Sequence, residues 1–423
     1  MNFARLNHIL IPQRAEQRIA WKNSRRGRVF RAGLLLYEML TPLGRFLLAF
    51  WFLITPVSMS LHITTYYIIW SIVTGALTAS FLCRPLYRMR NVNIRVSVPK
   101  RIQTGETIQF SIYMENTGKR DYQAIEVEGP FLTWDGAWVD SRATVSQLPN
   151  GEKVIVKSEA KFSARGRRSL MPFCAKCLVP FGLASGAGVE SNLVHFTVVP
   201  RFPSVSGLRI PMTAQYQPGG VVMASRTGEA LEIVGVRPYQ PGDRLRDLHS
   251  ATWARTGVPH VREYHQEYFA RVAVVLDTDL RKGKISERRF EASISLCAGV
   301  IASLLSSESL VDLIIAGSSD TSQILGRNMG QLSSALDTLA AVVPGPEMNL
   351  QALEDRLLPL LPQLSCMIVI AQTDDERGST LTRLIAERGC LVEAFYVSGL
   401  PVNNGKMRWV GLSTVESSEE IAL

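Results

Sequence analysis

The densest concentration of chemically able side chains in this sequence is "RPYQPGDRLRDLHSATWART", Arg237 to Thr256. It brings Arg237, Arg246 and Arg255 close to Asp243, Asp247 and His249. His260 and His265 follow, and Glu263 and Glu267 share a face with His265 if the chain there is extended. Such a set could do acid–base chemistry or hold a metal. No nucleophile motif, phosphate-binding glycine loop or HExxH helix accompanies it. A simpler account is available. In Pro241-Gly242-Asp243 the proline presets φ, the glycine frees it, and the aspartate can bond to the local backbone. Arginine forks suit carboxylates. The stretch therefore reads as an arginine–aspartate lattice pinning a long loop, or as a docking surface that meets acidic groups of a partner. No catalytic residue is assigned. The rival reading is a metal-dependent hydrolase built on His249, His260 and His265.

A second concentration is purely acidic. Asp277 and Asp279 end "VAVVLDTD", and Asp374 and Asp375 end "SCMIVIAQTDD". If those two segments are neighbouring strands, Asp277, Asp279 and Asp374 could converge on one divalent cation, for which Mg²⁺ or Mn²⁺ suits the oxygen ligands. Arg281 and Lys282 follow at once and could neutralise the carboxylates in place of an ion. Cys174-Ala-Lys-Cys177 has the spacing of half a zinc site, but no second CxxC or nearby histidine pair completes four ligands. The simpler reading of this pair is two unpaired thiols in a reducing compartment, and the six scattered cysteines show no disulfide framework.

The elements that must position these groups follow from pattern. With 423 residues, 46% hydrophobic and 20% charged, the chain is long enough for two or three domains and too apolar for large-scale disorder. In the last third, near-continuous apolar runs ("VAVVLDTD", "LVDLIIAG", "SCMIVIAQTDD", "CLVEAFYV") alternate with helical spacing in "ERRFEASISLCAGVIASLL", "MGQLSSALDTLAAVV" and "TLTRLIAERG". That alternation predicts a mostly parallel sheet with helices on both faces, and ligands at the carboxyl ends of its strands. From Val92 to Pro203 the period changes. "VNIRVSV", "TIQFSIYMEN", "QAIEVEG", "EKVIVKSEAKFS" and "VHFTVVP" alternate, and turn residues punctuate them, which predicts an antiparallel β-sandwich. Near its end, "ARGRRSL" reads as a basic turn and "LVPFGLASG" as an apolar loop docking onto the next domain.

Upstream lie two apolar runs, residues 43–61 and 64–83, each close to the roughly twenty residues that span a hydrocarbon core. Trp51, Tyr66, Tyr67 and Trp70 are types that membrane interfaces favour. Before the first run stand Arg14, Arg18, Lys22, Arg25, Arg26, Arg28 and Arg31; after the second stand Arg84, Arg88, Arg90 and Arg95. The connection around His62 and Ile63 carries no Lys or Arg. The positive-inside rule then reads a transmembrane hairpin in the inner (cytoplasmic) membrane with both termini cytoplasmic. Much of the net charge of +9 sits beside this hairpin, where anionic lipid would attract it, which argues against nucleic acid as the partner.

From "SRTGEALEIVGVRPYQPGDRLRDL" through "WARTGVPHVREYHQEY" into "VAVVLDTD", the chain resembles the bacterial membrane-associated proteins of the domain-of-unknown-function 58 family. The upstream "ARGRR…LVPFGLASG…VVP" pattern is similar to that family's preceding β-domain. Arg-x-Tyr-x-Pro-Gly-Asp-x-x-Arg, with Arg237, Tyr239, Gly242, Asp243 and Arg246, is the specific part of the resemblance. It implies that the C-terminal part is a von Willebrand factor A-like, Rossmann-like α/β domain. It also implies a scaffold or adaptor that works with a MoxR-type AAA+ ATPase in assembly or maturation of other proteins. Departures from the family pattern fall at Ser250, where tryptophan is usual, and at Trp253, where a small hydroxyl residue is usual. The metal-binding Asp-x-Ser-x-Ser string is Asp277-Thr278-Asp279-Leu280-Arg281 here, and no threonine in "VVPGPEMN" matches the second-loop ligand. The expected organisation is a basic segment over 1–42, the hairpin over 43–83, the β-sandwich over 92–203, a signature segment over 204–270 and the α/β domain over 271–423.

Overall fold

The computed structural model describes residues 39–58, 64–140, 142–208, 233–243, 245–264, 270–278, 287–307, 309–317, 322–325, 329–345, 350–372, 376–401 and 407–423. The chain is mixed α/β and divides into two compact units, residues 1–201 with 336–342 and residues 202–335 with 343–423.

The first unit begins with two apolar helices, Pro42–Ser58 and Thr64–Cys83, that pack against each other. Their connection at residues 59–63 lies outside the described residues. The seam between them is held by a reciprocal pair of bonds. Trp51 Nε1 donates to Thr74 Oγ1 at 2.7 Å, and Trp70 Nε1 donates to Thr55 Oγ1 at 3.1 Å. The same two hydroxyls donate back to the Trp51 and Trp70 carbonyls at 2.6 and 2.7 Å. The two indoles stack at 6.2 Å. Polar groups that would be costly in an apolar medium thus satisfy one another. Outward stand Phe46, Phe52, Leu53 and Ile72. The stretch Thr65–Tyr87 is long and apolar enough to cross a bilayer by length and composition; Pro42–Ser58 is a shorter apolar helix.

Eleven strands follow: β1 (Val92–Ser97), β2 (Arg101–Gln103), β3 (Thr107–Asn116), β4 (Tyr122–Glu128), β5 (Gly136–Trp138), β6 (Arg142–Leu148), β7 (Lys153–Phe162), β8 (Gly166–Leu170), β9 (Cys174–Cys177), β10 (Val189–Glu190) and β11 (Val194–Val199). They pair as β1-β3-β7-β5, β10-β9-β4-β6 and β2-β11-β8, antiparallel except for β2 with β11. Burial alternates along β1 and β3 as the apolar period requires, so one face of each turns inward. All three sheets feed a single core, centred on Phe110, Phe162, Phe173 and Phe196. Phe110 and Phe173 meet at 5.4 Å and Phe162 and Phe196 at 5.3 Å. Buried Asn116 is fully bonded: its Nδ2 donates to the Arg120, Leu148 and Pro149 carbonyls, and its Oδ1 accepts from Gly118 N.

The "ARGRRSL" and "LVPFGLASG" segments do different things from each other. Arg165 donates to the Leu339 and Val342 carbonyls at 3.1 and 2.5 Å, and Arg101 forks onto Asp337 at 2.8 and 2.6 Å, which is what draws residues 336–342 into this unit. The apolar loop bonds to the ends of the helix pair, where sequence pattern placed it against the next domain. Leu178 bridges Ser185 and Leu40 bridges Ala184, so the loop is a short ladder whose outer edge takes up the chain entering the first helix. The reason is the obligation of buried backbone groups to find partners.

The second unit contains β12 (Val205–Ser206), β13 (Ile233–Pro238), β14 (His260–Tyr264), β15 (Arg271–Asp277), β16 (Leu310–Ala316), β17 (Ser322–Leu325), β18 (Cys366–Ala371), β19 (Leu391–Ser398), β20 (Arg408–Gly411) and β21 (Ile421–Ala422). Six form one sheet in the order β17-β16-β15-β18-β19-β20, parallel except for the edge strand β17. β15 is buried on both sides over Val272–Leu276 and β18 throughout, as continuous apolar runs require. Ala273, Val275, Met367 and Val369 face a layer containing Leu353, Leu357, Leu381 and Ile385 from the helices Leu350–Leu357 and Glu376–Glu387. The helix Glu287–Ser306 packs on β15, β16, β18 and β19 and is not in that layer. It is apolar enough to pass for a span, yet 67% of its apolar window is buried, which makes it the sheet's core helix.

Candidate functional site

The charged stretch folds into a small lobe carried on the antiparallel pair β13 and β14, with Val236 opposite Arg262, Arg237 opposite Val261 and Pro238 opposite His260. Between the strands the chain makes a turn at Gln240–Asp243, a short 3₁₀ turn at Leu245–Asp247 and the helix Ser250–Thr256. Tyr239 N donates to the Pro259 carbonyl at 2.9 Å and His249 N to the His260 carbonyl at 2.8 Å, closing the lobe at its neck. Leu248 bridges to buried Val261.

The turn carries the chemistry that the sequence places there. Asp243 N donates to the Gln240 carbonyl at 3.0 Å, Pro241 occupies the second position and Gly242 the third, at φ +108°. Arg237 forks onto Asp243, Nη1 to Oδ2 and Nη2 to Oδ1, both at 2.8 Å. Gln240 N donates to the same Oδ2 at 2.8 Å. The bidentate Arg237 fork, reinforced by the Gln240 amide, holds the Asp243 carboxyl below the usual carboxylate range.

Among the described residues the expected lattice takes the form of one clamp. Arg237, Tyr239, Gly242 and Asp243 come together; Arg246 and Arg255 do not join them. Arg246 is exposed, its approach to its neighbour Asp247 a loose 3.9 Å, and Arg255 is exposed in the last turn of the short helix. Leu245, Trp253 and Val258 of the same lobe are also exposed. Of the histidines, His249 caps the helix, its Nδ1 accepting from Thr252 N at 3.2 Å and lying 2.7 Å from Thr252 Oγ1. His260 Nδ1 lies 2.8 Å from the Val258 carbonyl. Both Nδ1 atoms serve local structure. His265 and Glu267 lie outside the described residues.

At the carboxyl edge of the six-stranded sheet, β15 and β18 are neighbours, as convergence of their acidic ends requires. Asp277 is the half-buried last residue of β15, while Asp279, Arg281, Lys282, Asp374 and Asp375 lie outside the described residues. Two polar groups that sequence reasoning passed over sit here. Thr278 is fully buried, its N and Oγ1 both donating to the Ala316 carbonyl at 3.0 and 2.7 Å. Gln372, 1% exposed, donates from Nε2 to the Asp277 carbonyl at 3.3 Å, and among the described residues its Oε1 has no partner. The signal was an amide directly after six apolar strand residues. Carboxylate and amide oxygens of this kind are what a hard divalent cation takes. Among the described residues no three His, Cys, Asp or Glu side chains group as a metal site.

Cys174 and Cys177 lie three apart on β9, so they face opposite sides of the strand. Cys177 points into the core, and burial pushes its thiol up to about 11. None of the six cysteines forms a disulfide.

A family model described as "Protein of unknown function DUF58" matches residues 235–389, a span that includes the Arg237–Asp243 clamp, β14, β15, β16 and β18. No curated protein matches the chain. Among solved structures, native alpha-2-macroglobulin of E. coli is similar over 27% of this chain and 7% of its own, at 14% identity and a TM-score of 0.22. A structure under the words "AvmM Catalyzes Macrocyclization in Alchivemycin A Biosynthesis" is similar over 30% of this chain and 100% of its own, at 17% identity and a TM-score of 0.20. The GH20 exo-β-N-acetylglucosaminidase of Vibrio harveyi covers 73% of this chain and 57% of its own, at 9% identity and a TM-score of 0.19. Likenesses this low carry no argument about fold or activity.

Proposed function

We propose that the chain is a membrane-anchored, cytoplasm-facing scaffold or adaptor that carries no catalysis of its own and works with a MoxR-type AAA+ ATPase in assembly or maturation of protein complexes. The apolar helix pair is its anchor in the inner membrane, with both ends of the pair on the cytoplasmic side, where the arginines flank it. The six-stranded sheet is its von Willebrand factor A-like part. Asp277, Asp279 and Asp374 are the residues that would hold Mg²⁺ or Mn²⁺ there, a cation supplying an anchoring charge for a partner's carboxylate.

The observation that carries the reading is how the lobe allocates its charges. Arg237 and Asp243 neutralise each other, while Arg246 and Arg255 remain exposed in a lobe that also exposes Leu245, Trp253 and Val258. Aromatic and arginine side chains offered together suit a protein partner with acidic groups. No observation of the same kind favours the hydrolase, because His249 and His260 are occupied through Nδ1 by a helix cap and a carbonyl. The test is binding of the full chain, in nanodiscs, to a purified MoxR-type ATPase. Arg246→Glu with Arg255→Glu weakens it tenfold or more, chiefly by slower association at low salt. Unchanged binding in the double variant overturns the assignment of this surface.

A further inference from the structure

The loop that joins the helix pair to the β-strands has a feature anchoring alone leaves unexplained. Val179-Pro180-Phe181-Gly182 is a tight turn, closed by Gly182 N donating to the Val179 carbonyl at 2.9 Å. Its third residue, Phe181, stands at φ +69° and is 73% exposed. Both properties are unfavourable in water. Left-handed backbone strains a residue with a Cβ, and glycine is the usual occupant of this turn position. An isolated phenyl ring held outward also gains nothing from the protein. Strain at an exposed aromatic residue calls for an external partner.

The place of the turn identifies that partner. Thr41 N donates to the Leu183 carbonyl at 3.1 Å and Thr41 Oγ1 to the Gly182 carbonyl at 2.6 Å, at the start of the helix Pro42–Ser58. Arg84 Nε donates to the Ser185 carbonyl at 2.9 Å, at the end of the helix Thr64–Cys83. Met89 N reaches the Ala187 carbonyl at 3.0 Å. The loop carrying the turn is therefore bonded just before the first helix and just after the second, at the one end of the pair where they enter and leave. Exposed Leu43, Leu82 and Leu86 belong to that end, as do exposed Arg88 and Arg90. Apolar side chains with flanking arginines match the boundary between acyl chains and anionic headgroups.

We propose that Phe181 is a membrane wedge, inserted at the headgroup–acyl boundary of the leaflet that receives both helix ends, so that the Leu178–Gly186 loop fixes the β-strand module against the bilayer surface. The proposal rests on the anchoring read above for the helix pair, and the test separates the two. Phe181→Cys, Leu53→Cys (on the outward face of the first helix) and Ile155→Cys (exposed on β7) are each labelled with the fluorophore NBD. Each is reconstituted as the full chain into vesicles of phosphatidylcholine and phosphatidylglycerol, with labelled wild type as background. Phosphatidylcholine brominated near the headgroup end of its acyl chain is the quencher. All three positions are exposed, so the substitutions leave the packing alone. Quenching and a blue-shifted emission at both 181 and 53, against water-like emission at 155, is the expected result. Quenching at 53 with water-like emission at 181 overturns the wedge and leaves the anchor standing. Water-like emission at all three overturns both.

Discussion

Two turns of this molecule share a plan and differ in what they do with it. Val179–Gly182 and Gln240–Asp243 each close by an N–H of the fourth residue on the carbonyl of the first, at 2.9 and 3.0 Å. Each has proline second and a positive-φ residue third, Phe181 at +69° and Gly242 at +108°. The first turn sends its bonds outward, to Thr41 and through Ser185 to Arg84, and becomes a joint. The second keeps its bonds inside, Asp243 satisfying Arg237 and Gln240 N, and becomes a self-contained lobe with spare charges on its surface. Composition alone would rank the second turn as the site of action. The hydrogen bonds show that its charges are structural first, while the plainer apolar loop holds the positional task.

If the first turn and its loop are a joint, filling a close backbone approach there should be the most damaging change in either region. A Cβ on Gly186 would lie 2.0 Å from the Tyr87 carbonyl oxygen, and one on Gly44 would lie 1.9 Å from that of Leu183. Backbone cannot retreat as a flexible side chain does. Gly186→Val should therefore cost about 3 kcal/mol or more, measured by thermal unfolding of the full chain in detergent. Gly242→Ala meets nothing within 4 Å and loses only the backbone freedom of φ +108°, about 1 kcal/mol. Equal costs would erase the distinction between joint and lobe. The next effect is Thr41→Val. It removes the cap that Gly44 N finds at 3.1 Å and the bond to the Gly182 carbonyl, leaving buried groups unpaired for about 2 kcal/mol. Faster proteolysis between residues 84 and 92, read by mass spectrometry, should accompany the lower melting point.

The elements were far more legible in the sequence than the joints between them. "VAVVLDTD" reads as a buried strand, and Arg271–Asp277 is one; "TIQFSIYMEN" coincides with β3. Period and apolar run length are local properties, so one chain displays them. The destination of the 178–186 loop was not legible, because the groups that fix it are backbone carbonyls, which every residue carries. The clamp was half legible. Arg237 and Asp243 are within reach by sequence, but whether Arg246 and Arg255 would also find carboxylates depends on side-chain directions around a 3₁₀ turn and a seven-residue helix. Gln372 escaped notice for a similar reason: only the pairing of β15 with β18 brings it to the Asp277 carbonyl.

The smallest expected effect sharpens the comparison through pH. Asp243 is held below its ordinary range, first by the Arg237 fork and then by the Gln240 amide. A carboxyl depressed in the folded state stabilises it above its unfolded value, near 4, and that contribution is lost as pH falls through the lower folded value. The clamp is therefore whole at neutral pH and loosens only in acid. Hydrogen exchange at the Gln240 amide should quicken only in acid below the ordinary carboxylate value, as pH falls through the lower folded one, after correction for the intrinsic rate. Asp243→Asn should make that exchange quick at every pH and abolish the step. The joint offers the control within the same molecule. Its bonds run from Thr41 and Arg84 to carbonyls, and neither a hydroxyl nor a guanidinium changes charge over this range. Gly44 N, bonded to Thr41 Oγ1, should show no step between pH 6 and pH 3. A matching step at Gly44 would mean that acid acts on the whole unit, and that the lobe is less independent than its hydrogen bonds imply.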